Sequence, residues 1–183
     1  RSALPALAKL AEGIGDRQVR NMGTLGGSLA NNDPAADWPA AVLGCGATVR
    51  TNVRAIAADD FFKGMFETAL APDEIITAVE FPLPARAAYA KFPNPASRFA
   101  LVGVFVAQAG NGDVRVAVTG AASSVFRATA IEAALRKSFT PDAAKGTRVD
   151  ATGLNNDLHG SAEYRAHLVS VMAARAVAAC AGA

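Results

Sequence analysis

The sequence has two cysteines and two histidines, and that scarcity excludes several chemistries at once. Cys45 and Cys180 form no C-x-x-C pair and cannot build a disulfide framework or a zinc site. His159 and His167 lie far along the chain from Cys45 and in no ligand spacing with Cys180, which leaves no ligand set for a catalytic metal. Charge of one sign is lacking too. Lys plus Arg is 18 and Asp plus Glu is 16, a net +2, which excludes a nucleic-acid or anionic-lipid binder driven by overall charge. Long apolar runs are missing: Phe99–Ala107 is about half of the roughly 20 residues that a bilayer helix needs, and Arg175 breaks the apolar stretch His167–Ala183. The expectation is a protein not integral to a membrane, with reduced thiols that suit the cytoplasm. There is no internal repeat or low-complexity tract, and Ser123 and Ser124 have no histidine at a spacing that suggests a hydrolase triad.

What is present is enough for a core. The 183 residues are 51% hydrophobic and 19% charged, the composition of one large domain or two small ones. Leu4, Leu7, Leu10 and Ala11 recur at helical spacing, predicting a helix over Ala3–Glu12 that Gly13–Asp16 stops. Asn21–Ser28 reads as a glycine-rich loop, and Leu29–Pro34 cannot be a regular strand. Ala35–Leu43 reads as a helix started by Asp33 and Pro34 and ended by Gly44–Gly46. Short strands are expected at Ala47–Arg50, Ala55–Ala58 and Ile75–Phe81, with a turn at Asp59–Gly64 and a boundary at Pro82–Pro84. Beyond it, strands are expected at Ala88–Phe92, Phe99–Ala109 and Val114–Gly120, the last two joined by a Gly110–Asp113 hairpin. Helices are expected at Ala128–Phe139 and Ala162–Ala181, the latter capped by Ser161. The picture is α+β in two unequal modules.

Gly23–Ser28 is the strongest local signal. Gly26 and Gly27 carry no Cβ, so a ligand can approach the backbone, and Thr24 and Ser28 add hydroxyls. For an isolated T-x-G-G-S an ordinary glycine turn is the simpler reading. The segment is neither a Walker loop nor a G-x-G-x-x-G fingerprint, so a nucleotide triphosphatase and a doubly wound NAD domain have no support. Asp37, an acid with apolar neighbours, suits either sugar or ribityl hydroxyls as an acceptor or the first turn of a helix. Trp38 and the phenylalanines are most simply core, and Cys45 and Cys180 buried thiols.

Taken together, QVRNMGTLGGSLANNDPAAD at Gln18–Asp37, FETALAPDEIITAVEFP at Phe66–Pro82, Tyr89–Lys91 with Ala96–Val102, and Asp157–Arg165 resemble, in order, four segments of the molybdenum hydroxylase flavoproteins. These are the FAD-binding medium subunits of aerobic carbon monoxide dehydrogenases and the flavin domains of xanthine dehydrogenases. The resemblance implies the second subdomain of a vanillyl-alcohol-oxidase-type (PCMH-like) FAD-binding domain over residues 1–84. A carbon monoxide dehydrogenase flavoprotein C-terminal domain, an antiparallel sheet with helices, would follow over 85–183. It also implies that the first FAD subdomain, with its own A-G-G-x-S loop, precedes Arg1 and is absent here.

By position, Thr24 and the Gly26–Gly27 backbone would contact FAD, with Ser28 close by and Asp37 on a cofactor hydroxyl. Ile14 and Ile76 would be apolar walls, core packing being the plain alternative. Lys91 would sit near the flavin, where a cation stabilises the negatively charged reduced form; a solvated strand-end lysine is the other reading. Asp157, His159, Tyr164 and Arg165 read as a capping and docking cluster, and Arg98 as a structural ion-pair residue. No catalytic acid–base residue and no metal ligand is implied. Molybdenum cofactor and iron–sulphur clusters would reside only on partner subunits, an iron–sulphur small subunit and a molybdenum large subunit, in a heterohexamer. The implied function is an oxidoreductase subunit whose FAD takes electrons from the iron–sulphur subunit and passes them to quinone, NAD or oxygen. The competing readings are a non-catalytic assembly module without FAD, and a stand-alone flavin reductase of the enolpyruvate-reducing type.

Overall fold

The computed structural model describes residues 3–180. In chain order the elements are α1 (Pro5–Glu12), α2 (Arg17–Met22), α3 (Leu25–Asn31), α4 (Trp38–Cys45), β1 (Thr48–Thr51), β2 (Ala55–Ala57), α5 (Ala58–Phe61), β3 (Phe62–Gly64), β4 (Glu67–Thr68) and β5 (Ile76–Glu80). There follow β6 (Arg86–Pro93), β7 (Ala100–Gln108), β8 (Val114–Thr119), β9 (Phe126–Arg127), α6 (Thr129–Lys137), α7 (Pro141–Lys145) and α8 (Ala162–Cys180). The strands form three antiparallel sheets, ordered β2-β1-β5, β3-β4 and β6-β7-β8-β9. The class is α+β, as the sequence pattern predicts. The expected end of the last helix at Ala181 lies outside the described residues.

The four-stranded sheet is covered on both faces, and this positions everything else. Along β7, Val102, Val104 and Val106 face a core built with α6, α7 and α8, while Phe105 and Ala107 belong to a second core shared with α1, α3, α4 and β1. Strand alternation explains the split, since successive side chains point to opposite faces. Burial on both faces also explains why the strand reads as a continuous apolar run over Ala100–Ala107 rather than an alternating one. On β6 the same alternation turns Ala87 and Tyr89 toward the core that contains α4.

Three local readings need correction. The glycine-rich segment is not a loop throughout: Leu25–Asn31 is helical, despite two glycines that each cost about 1 kcal/mol in a helix. Thr24 compensates by capping, its Oγ1 accepting from the Gly27 amide at 3.0 Å, and Leu29 is fully buried. Glycine at 27 is what makes the cap fit, because a Cβ there would stand 2.9 Å from the same hydroxyl oxygen. The next helix starts at Trp38 with Pro39 in its first turn, not at Pro34; Asp33 instead closes a turn by accepting from the Ala35 amide at 2.8 Å. Asp59–Gly64 holds the end of α5 and then β3 rather than a turn. Helices α2 and α7 and strand β9 have too few residues for a periodic signal.

A buried carboxylate locks the small sheet. Glu74, its side chain 1% exposed, accepts from Arg54 Nε and Nη2, both at 2.9 Å, from Thr51 Oγ1 at 2.7 Å and from the Ala71 amide at 2.9 Å. The Arg54 bonds first, then those of Thr51 and Ala71, pull its carboxyl from the ordinary 4.5 down to about 2. The folded value lies below the unfolded one, so this stabilisation is complete above pH 4.5 and is lost as the pH falls through about 2. Urea unfolding across that window should show the wild type losing stability more steeply than Glu74→Gln; parallel curves would remove Glu74 from the acid response.

Candidate functional site

The turn between α1 and α2 is held open by its own bonds. Asp16 caps α2 through the Val19 amide at 3.0 Å, and Arg20 Nη1 donates to the Ile14 carbonyl at 2.8 Å. Gly15 takes a left-handed φ of 44°, which turns the chain beneath Val19. Between this turn, α3 and the start of α4 lies a cavity of about 580 Å³. Ile14, Val19 and Met22 line it from the α1–α2 region, Thr24, Gly27 and Ser28 from the start of α3, Asp37 and Trp38 from the start of α4, and Ser97 and Phe99 from the β6–β7 connection. The glycine segment is not sealed inside the protein: Gly23, Thr24 and Gly27 are exposed. The amides of the first helical turn lack intrahelical acceptors, and Thr24 satisfies only that of Gly27.

Asp37 is the charged centre of the site. It is 5% exposed, accepts from the Tyr89 hydroxyl on Oδ1 at 2.5 Å, and pairs with Lys91 Nζ at 3.1 Å. Lys91 Nζ also donates to the Gly13 carbonyl at 2.7 Å, tying β6 to the turn that carries Ile14. Burial pushes the Asp37 carboxyl above its ordinary value against the opposing pull of Lys91 and Tyr89. Burial, then the charge of Asp37 and its hydrogen bond, push the Tyr89 phenol well above the usual range. The turn before Asp37 is pinned from β8: Thr119 Oγ1 donates to the carbonyls of Pro34 at 3.0 Å and Ala36 at 2.6 Å, and the Gly120 amide donates to Pro34 at 2.8 Å.

Of the residues singled out from the sequence, Ile14, Thr24, Gly27, Ser28 and Asp37 line this one cavity. Lys91 sits one layer behind, reaching it through Asp37. Gly26 turns toward β5, where Ile76 Cβ lies 3.9 Å from the position a Gly26 Cβ would take, so Ile76 packs on the other side of α3. Trp38 packs against the second core as expected and also lines the cavity, whereas Phe99, read as core, is a cavity residue instead, 54% exposed. The adjacency of Trp38 to Asp37 was the available signal; nothing in the sequence shows which way Phe99 faces. Asp157 and Arg165 form a bidentate ion pair at 2.7 and 2.8 Å, and Phe92 meets the Tyr164 ring edge to face, a structural cluster as expected. Arg98, expected in a structural ion pair, is exposed at a left-handed φ of 62° and ends a turn through its own amide on the Asn94 carbonyl. Both cysteines are buried, which pushes the Cys45 thiol up to about 12 and the Cys180 thiol to about 11.

The arrangement offers hydroxyls, backbone amides, one carboxylate and apolar wall, a set for holding and orienting a polar ligand with a flat apolar part. It has no histidine or thiol for proton transfer. Among the described residues, no three His, Cys, Asp or Glu gather to hold a metal, and no helix is long and apolar enough to cross a membrane.

Residues 1–84 match the family described as the FAD binding domain in molybdopterin dehydrogenase, and residues 87–180 match the CO dehydrogenase flavoprotein C-terminal domain. The chain is 38% identical to the nicotine 6-hydroxylase medium subunit of Paenarthrobacter nicotinovorans, aligning 95% of this chain with 66% of that one. It is 33% identical to the glyceraldehyde dehydrogenase medium chain of Sulfolobus acidocaldarius, over 96% of this chain and 68% of the relative. Among solved structures, CO dehydrogenase from Oligotropha carboxidovorans superposes with a TM-score of 0.86 at 29% identity, covering 98% of this chain and 68% of that chain. The chain thus spans about two thirds of the length of these relatives.

Proposed function

Because the chain belongs to the FAD-binding medium-subunit family of the molybdenum hydroxylases, we propose that its cavity is one half of a flavin seat in an electron-transferring oxidoreductase complex. The carrying observation is that Thr24, Gly27, Ser28, Asp37 and Ile14 converge on one cavity of about 580 Å³. The donor set fits a flavin nucleotide. The hydroxyls of Thr24 and Ser28 and the first-turn amides of α3 that Thr24 leaves unengaged bind its polar linker, and Asp37 accepts from its hydroxyl chain. Ile14 and Trp38 cover apolar surface on the cavity side. Ile76 supports α3 from beneath through Gly26, and Lys91 acts through Asp37. Bound FAD supplies the exchange between single electrons arriving from an iron–sulphur subunit and pairs leaving to a quinone, NAD or oxygen. This chain binds and orients the cofactor and excludes water from one side of it; it moves no proton.

In this reading residues 1–84 are the cofactor module and 85–183 the second domain. The partners are an iron–sulphur small subunit and a molybdenum large subunit, assembled as a heterohexamer in the cytoplasm. FAD titration followed by flavin fluorescence tests the seat. Thr24→Ala, which removes both a ligand hydroxyl and the α3 cap, should weaken binding about tenfold, or about 1.4 kcal/mol. An absence of FAD binding by the wild type, with partner subunits still retained, would replace this reading by that of a cofactor-free assembly module.

A further inference from the structure

We propose that Tyr89, seated in a slot that only glycine at 103 leaves open, is the positioning residue that holds the Asp37 carboxylate as a hydrogen-bond acceptor at the cavity wall. The proposal rests on the flavin reading for its ligand, the hydroxyl chain of a flavin nucleotide, and on the geometry of three strands for the rest.

Gly103 lies in the middle of β7, paired with Lys91 on one side and Thr119 on the other. Glycine weakens a strand interior and is found there where another group approaches closely. The group here is the Tyr89 hydroxyl: a Cβ on residue 103 would stand 2.1 Å from its oxygen, 2.9 Å from its ring carbon and 2.9 Å from Thr119 Cγ2. No left-handed backbone at Gly103 offers another reason for the residue. The slot lets the tyrosine ring lie beside Phe105, centroids 6.4 Å apart, with its hydroxyl directed at Asp37 Oδ1.

A buried hydroxyl needs a partner, and phenylalanine would fill the same apolar volume without one. The hydroxyl's effect is therefore on Asp37. Two donors face that carboxylate, Tyr89 and Lys91, both from β6, and both oppose the effect of burial on its proton. The other charged groups at the cavity are Asp33 and Arg20; the first is engaged with the Ala35 amide and the second with the Ile14 carbonyl. Removing the Tyr89 donor leaves Lys91 alone against burial. Asp37 then takes up a proton at higher pH and presents a donor where the ligand also donates.

Tyr89→Phe in the full chain tests this with two readouts. In the FAD-free protein, the Asp37 carboxyl carbon, assigned by its loss in Asp37→Asn, should titrate about one pH unit higher in Tyr89→Phe than in the wild type. Gly103→Ala should give the same displacement with the tyrosine still present. In FAD titrations, Tyr89→Phe should lose about tenfold in affinity at low pH and little at high pH, since the acceptor is lost only where Asp37 is protonated. A purely structural role would weaken binding equally at every pH and leave the Asp37 midpoint unmoved; either result overturns the proposal. A wild type that binds no FAD at any pH overturns the flavin reading and the ligand named here, while the Asp37 midpoint still decides whether Tyr89 governs the carboxylate.

Discussion

Replacing Lys91 by methionine should destabilise the chain by about 3–5 kcal/mol at neutral pH, the range for removing one partner of a buried ion pair. The side chains of Lys91 and Asp37 are 11% and 4% exposed, so solvent cannot take over the lost interaction. The variant also breaks the bond to the Gly13 carbonyl that holds the α1–α2 turn. Most of the loss comes from the carboxylate left behind, and pH separates it from lost packing. Burial already raises the Asp37 carboxyl above its ordinary 3.8, and without Lys91 it rises further. A carboxyl whose folded value is raised imposes no penalty below its unfolded value, and the penalty grows as pH rises through the folded one. Lys91→Met should therefore approach the wild type near pH 4 and diverge toward neutrality, and adding Asp37→Asn should restore at least half the loss at pH 7. Urea denaturation across that range decides it; a pH-independent deficit would assign the effect to packing instead. With FAD bound, the same variant exchanges a cation for a bare anion near the cofactor. Its reduction potential should fall, and an unchanged potential would remove Lys91 from that role.

This pair shows where sequence reading stops. Lys91 and Asp37 are 54 positions apart, and only the pairing of β6 with β7, under α4, brings them together. Local signals did better. The Gly110–Asp113 hairpin is as expected, with Gly112 at a left-handed φ of 91° and the Ala109 amide on the Asp113 carbonyl at 2.8 Å. So are the first helix and the cap of the last, where Ser161 Oγ accepts from the Tyr164 amide at 3.2 Å. Helix α3 is not legible in the sequence because glycine propensity argues against it; capping and the burial of Leu29 override a preference of about 1 kcal/mol per glycine. The start of α4 is ambiguous in the sequence because Asp33-Pro34 and Asp37-Trp38-Pro39 both read as helix starts, and only the bonds from β8 to Pro34 and Ala36 decide between them. Residue types at the site were legible as a resemblance. Their convergence on one cavity, and the layer of Tyr89 and Lys91 behind it, belong to tertiary structure.

Arg165→Met should cost about 3–5 kcal/mol, although Arg165 lies on α8 and does not line the cavity beside α3. The guanidinium is nearly fully buried and makes its bonds in two directions. Nη2 clamps both Asp157 oxygens, and Nη1 donates to the carbonyls of Leu101 at 2.9 Å and Gly120 at 3.0 Å. Methionine fills the volume but leaves the Leu101 carbonyl without this donor and the Gly120 carbonyl with only the long bond from Asn155 Nδ2 at 3.4 Å, at about 1–3 kcal/mol each, while half-exposed Asp157 turns to solvent. Lysine keeps the charge but has no planar fork, so Arg165→Lys should recover less than half the loss. The effect should also reach the proposed cofactor seat. Gly120 is the residue whose amide holds the Pro34 carbonyl, next to the Thr119 bonds that fix the turn leading into Asp37. Glycine is required there, at φ 82°, because a Cβ would stand 2.3 Å from the Ala100 carbonyl oxygen. Loosening one side of Gly120 loosens the other. FAD affinity measured on the folded variant should fall about three- to tenfold, a change of about 0.7–1.4 kcal/mol. Lost stability with unchanged affinity would instead show that Thr119 alone holds the turn, and that the α8 side of the sheet is energetically separate from the flavin side.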